Sequence, residues 1–124
     1  MTPAAAIDMH RRFLAEVGED IVIRRYTGTG TPRPKVEATV RARVMGYEPK
    51  ELVGTIVQGD RKILALVDPD ATVASGMVAL STLLPLNNND KAVVRGKELA
   101  IKAIDDNTRR IAGTLIALEI QAAG

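Results

Sequence analysis

The sequence predicts a mainly β fold: a small antiparallel β-barrel with long inserted loops and an N-terminal amphipathic helix. Three observations carry that expectation. From Val36 to Val44 every second residue is apolar, with Glu37, Thr39, Arg41 and Arg43 between them, the period of a strand with one buried face. From Asn89 to Ile120 the chain reads as a hairpin, a polar turn and a further antiparallel strand, a unit whose apolar side needs other strands to cover it. Ahead of both, residues 3–17 carry apolar side chains at helical spacing.

Thr2 and Pro3 form a helix start, a hydroxyl N-cap followed by proline at the first helical position. Ala6, Met9, Phe13 and Val17 then recur at helical spacing with Leu14 beside them, and Gly18 supplies the stop. Residues 20–26 (DIVIRRY) read as a strand. Gly28, Gly30, Pro32 and Pro34 make residues 27–35 a loop. After the alternating strand, residues 45–60 form a long excursion. Gly46, Pro49, Gly54 and Gly59 break it, yet it carries Leu52, Val53, Ile56 and Val57, with one helical turn expected around Pro49 to Val53. Long excursions from compact domains are common places for binding. Residues 60–68 are apolar on both faces, as in a buried strand. In residues 69–85, Val73, Met77, Leu80 and Leu84 keep helical spacing against Gly76 and Pro85, which gives a short helix or an ordered arm. Asn87 to Asp90 is a turn, Arg95 to Glu98 the hairpin turn, and Arg109-Arg110 leads into the last strand. The whole is read as one domain, residues 1–124, with the barrel over 20–120 and excursions at 45–60 and 69–85.

Composition narrows the function. With one Phe, two Tyr and no Trp, the core must be aliphatic. Exposed rings for stacking single-stranded nucleic acid are scarce. Seventeen basic against fifteen acidic side chains leave a net charge of +2, too small a field for DNA binding as the main task. The absence of cysteine excludes disulfides and thiolate metal sites and fits a reducing compartment. No run approaches the roughly 20 apolar residues of a membrane span, and Asp8, His10, Arg11 and Arg12 interrupt any signal-peptide core. A soluble, intracellular protein with no membrane partner is expected.

The residues that could carry chemistry do not assemble into a site. His10 is the single histidine, and no nucleophile or orienting acid marks it; an exposed helix position is the expectation. Glu19-Asp20, Asp68 with Asp70, and Asp105-Asp106 lack the alternate ligand spacing of a Ca²⁺ loop. Asp105-Asp106-Asn107 is turn chemistry. Gly28-x-Gly30 is followed by prolines and by no helix, so it is no phosphate cradle. Two basic pairs stand out, Arg41 with Arg43 and Arg109 with Arg110. They read either as a solvated strand face paired with Glu37 or Glu119, or as channel-facing or inter-subunit residues of a ring. Without a nucleophile–base pair, a metal set or a cofactor loop, an enzyme is not expected, and no cofactor is implied.

The order of elements resembles a family, the small head-closure (head–tail stopper, or head-completion) proteins of long-tailed phages and related particles. The segment Val36-Glu-Ala-Thr-Val-Arg-Ala-Arg-Val44 is similar to the family's A-T-V-x-A-x-V strand. Met45 to Glu51, running on to Gln58, occupies the place of its long loop. Asp90 to Ile104 resembles its hairpin, and Asp106, Asn107 and Arg109 match the polar turn before its last strand. The likeness spans residues 20–120. It departs at Asn89, where glycine is usual, in residues 69–85, which look inserted, and in the length of the N-terminal helix.

The resemblance implies a structural virion protein without catalytic activity. It would form a homo-oligomeric ring, six- or twelve-fold, in the head–tail neck, assembled in the host cytoplasm. Portal or adaptor proteins would lie above it and tail proteins below. Its loop would supply the subunit or partner interface through Tyr47, Glu51, Leu52, Val53, Ile56 and Gln58. A ring concentrates basic residues, so contact of Arg41, Arg43, Arg109 and Arg110 with packaged DNA stays open. Replacing Leu52 and Ile56 with Asp is expected to spare the fold and abolish assembly. A tail terminator or another connector component is the alternative, and a helical adaptor would need mostly helix. A nucleic-acid-binding barrel would need a basic stripe and aromatics.

Overall fold

The structure, a computed structural model, describes residues 1–47 and 59–124. The predicted fold class holds: six antiparallel strands close into a barrel with a helix at the N-terminus. The strands are β1 (Glu19–Tyr26), β2 (Lys35–Gly46), β3 (Arg61–Leu66), β4 (Lys91–Val94), β5 (Lys97–Asp105) and β8 (Ala117–Ala123). Around the barrel they run β1-β2-β3-β8-β5-β4, and β4 closes onto β1 through Ile23↔Ala92. Closure removes the free edges through which small sheets aggregate.

The alternation in β2 predicts its burial: Ala38, Val40 and Ala42 point into the barrel, while Thr39 stays exposed. Ile21, Ile23, Ile63, Leu99, Ile101, Leu118 and Ile120 meet them inside. The remaining inward positions include Ala65, Ala92 and Ala122. Small side chains let a six-stranded barrel, which is narrow, fill completely. The interior is therefore a packed core and not a pore.

Two buried carboxylates tie strands together at their ends. At one, Arg25 follows Ile21 and Ile23 in inward register and binds Asp90 through two 2.8 Å contacts, with Asp90 fully buried. Arg25 also donates to the Leu83 carbonyl at 2.8 Å, tying the arm after β3 to β1. Leu83 and Leu86 from that arm are buried in the barrel core. At the other, buried Asp60 accepts from Lys102 and from Gln121, both at 2.9 Å.

Residues 69–85 take the form of a short helix in an ordered arm, and two turn expectations are corrected. The helix is α2 (Leu80–Leu83). Val73 is exposed, and Val78, Leu80 and Leu84 pack on the core as an ordered arm. The hairpin turn is shorter than expected: Arg95 and Gly96 alone turn the chain at φ 49° and 80°, and Lys97 and Glu98 already belong to β5. Two positive φ values are what a two-residue hairpin loop of matching twist requires. Arg109-Arg110 does not feed the last strand directly. A side hairpin intervenes, β6 (Arg110–Ile111) and β7 (Thr114–Leu115), turning at Ala112 and Gly113 with φ 50° and 81°.

Helix α1 (Pro3–Val17) has its predicted ends: Thr2 Oγ1 accepts from the Ala5 N–H at 3.1 Å, and Gly18 follows the last residue. Its buried face is only in part the predicted one. Ala6, Ile7 and Leu14 pack with Leu66, Ile116 and Ile111, whereas Met9, Phe13 and Val17 are 44–46% exposed. The sequence offers two overlapping stripes, and the buried one contains a polar residue. His10 is half-buried there because its Nδ1 donates to the Ala6 carbonyl at 2.9 Å.

Candidate assembly surface

The features not explained by the fold lie on and around α1. The helix crosses the outer face of β2, and two outward arginines of that strand hold it. Arg41 Nε donates to the Leu14 carbonyl at 2.8 Å and its Nη2 to the Ala15 carbonyl at 3.3 Å, with Asp20 3.4 Å from Nη1. Both carbonyls lie in the last helical turn, where a cation complements the helix dipole; that of Leu14 also accepts from the Gly18 N–H at 3.0 Å. Arg43 lies over the Phe13 ring, 5.7 Å from its centroid, within cation–π range. Gly18 is close-packed: a Cβ would stand 2.6 Å from the Leu14 oxygen and 2.8 Å from that of Ala42.

On one flank of α1 runs the stripe Met9, Phe13 and Val17, with Arg12 beside it, 76% exposed and paired to Asp8 at 2.9 Å. The other flank borders a groove of about 200 Å³ between Arg11, the middle of β2 and residues 66–81. The groove exists because β2 and β3 diverge. They pair only from Ala42 to Gly46, and beyond that the arm takes over, with Val78 donating to the Glu37 carbonyl at 2.9 Å. Arg11 grips Asp68 with two 2.9 Å hydrogen bonds at the head of the arm, which holds the Asp68 carboxyl below the usual range.

Arg109 stands 3.7 Å from Glu119, the expected cross-strand partner. Arg110 donates to the Asp106 and Gly113 carbonyls at 2.8 and 3.0 Å, bracing the side hairpin. Glu37 is engaged by Arg24, which also reaches Glu98. The Tyr26 hydroxyl donates to Glu98 at 2.6 Å, and that bond, with Arg24, lowers the Glu98 pKa. Tyr47 lies near Lys62, whose Nζ is 5.3 Å from the ring centroid. Glu51, Leu52, Val53, Ile56 and Gln58 lie outside the described residues. Asp105 accepts from the Asn107 and Thr108 N–H groups at 3.0 Å and from the Thr108 hydroxyl at 2.6 Å, as turn chemistry predicted. Among the described residues, no group of three His, Asp or Glu side chains is placed to hold a metal ion. Among them, too, no helix is long and apolar enough to cross a membrane.

Comparison with protein-family models finds no match, and no curated protein matches the sequence.

Sequence reasoning missed two features. Arg25 could have been found by parity, since Ile21-x-Ile23-x-Arg25 places a cation on the inward face and so demands a buried carboxylate. The exposed stripe was hidden because Met, Phe and Val are taken for core by default.

Proposed function

We propose that this chain is a structural protein of the phage neck, forming a ring between the portal or adaptor and the tail. In that role it closes the DNA-filled head and offers the tail a docking surface. The reading starts from the resemblance in element order. The observation that carries it further is a closed barrel with a filled interior and an apolar helix stripe left outside it. A packed barrel encloses no ligand space of its own, so its outer surface is what it has to offer partners. A row of half-exposed Met, Phe and Val is an aggregation liability on a monomer and an asset in an assembly. The strand-dominated content, 44% strand against 17% helix, favours a stopper over a helical adaptor.

In such a ring, the DNA path runs between subunits along the ring axis, since each barrel is solid. Arg41 and Arg43 serve α1 from below it, and Arg109 and Arg110 belong to the side hairpin and its approach. Their first task is structural. Immunogold labelling of intact particles tests the proposal. Label confined to the head–tail junction is expected; label at the tail tip, or on no particle, would contradict it.

A further inference from the structure

We propose that α1 is the joint between neighbouring copies of this chain, the Met9–Phe13–Val17 stripe of one copy seating in the groove between α1 and the 67–81 arm of the next. The inference deepens the ring reading and rests on it, naming the two surfaces that meet.

Four observations converge on a second copy as the occupant. The stripe and the groove lie on opposite flanks of one helix. Phe13 follows Arg11 by two residues, which at about 100° per residue puts them on opposite sides of α1. The strand beneath says the same, because Arg41 lines the groove while Arg43 lies against Phe13. Both surfaces present apolar side chains: in the groove these are Val67, Val73, Val78 and Leu80, and Val73 is 48% exposed. Their rims are charge-complementary. Arg12 stands beside the stripe, and Asp70, 87% exposed, stands beside the groove and reaches Arg11 only at 4.0 Å. Finally, two different patches on opposite flanks make a heterologous contact, the kind that repeats from copy to copy and forms a ring where the rotation between copies closes. A two-fold pairing of stripes would stop at two copies and leave the groove's apolar wall in water.

The chain has no cysteine, so introduced thiols report contacts without background. Purified full-length Met9→Cys and Val73→Cys variants are mixed at high concentration and treated with a short bismaleimide, with native mass spectrometry of the untreated chain alongside. Dimers linking position 9 to position 73, about ten-fold above either variant alone, are expected. Phe13→Asp, with an unchanged circular dichroism spectrum, should weaken self-association about ten- to hundred-fold. Arg12→Glu should weaken it about two- to five-fold, and Asp70→Lys should restore it. Crosslinking of Met9→Cys to Val17→Cys instead would reveal a two-fold helix pair and overturn the joint. Assembly without a 9–73 link would overturn the joint and leave the ring reading standing. A chain monomeric at every concentration would overturn both.

Discussion

Arg25 and Asp90 show how one inward-facing charge ties strand ends together. Asp90 is fully buried, binds the guanidinium with both oxygens, and accepts from the Asn87 N–H at 3.0 Å. Asp90→Ala strands the cation and that N–H together, and is expected to cost about 2–4 kcal/mol, since Arg25 keeps some contact with water. Urea unfolding checks this; a loss below about 0.5 kcal/mol, ordinary for a surface substitution, would contradict the assignment. Asp105 makes a pH prediction. The Thr108 hydroxyl above all, then the Asn107 and Thr108 N–H groups, bring its pKa down to about 2. The folded value lies below the unfolded one, so the turn is stabilised above about pH 4 and the gain fades as pH falls towards 2. Carboxyl carbon shifts should titrate with a midpoint near 2, moving up in Thr108→Ala; a midpoint near the unperturbed value of about 3.9 would refute the bond pattern. The turn role of Asp105 was legible in the sequence because Asx chemistry is local. The partner of Arg25 was not, because 65 residues separate it from Asp90.

At the scale of elements, α1 carries the clearest lesson. Its ends were legible from Thr2, Pro3 and Gly18, since capping depends on neighbours in sequence. Its buried face was legible only in part. The choice between overlapping stripes turned on whether His10 could be satisfied under cover, and the Ala6 carbonyl satisfies it. Leu14, with no exposed surface, anchors the true face. Leu14→Ala should cost about 2–5 kcal/mol, whereas Met9→Ala, half in water, should cost under about 1 kcal/mol. Thermal melts of the pair decide the face, and equal losses would contradict it. Gly18→Ala tests how α1 is seated. The backbone there is extended at φ −98°, which any residue tolerates, but the added methyl would meet two carbonyl oxygens below 3 Å. The helix must lift, at a cost of about 1–3 kcal/mol. The side hairpin escaped the sequence for a different reason, because Ala112 is an unusual residue at positive φ.

For the whole molecule, the barrel was legible from the alternation in β2 and the closing β4–β5–β8 unit. Its closure follows from β4 meeting β1, a pairing no local pattern announces. Under the proposed neck role, function lies on the outside of that barrel, in a ring whose copies would surround the exit path for DNA. The most direct test is electron microscopy of particles assembled after deleting this gene from the genome that carries it. A neck role predicts tailless heads that have lost their DNA, beside free tails of normal length. Tails of irregular length would move the protein to tail termination, and intact, infectious particles would contradict the neck role outright.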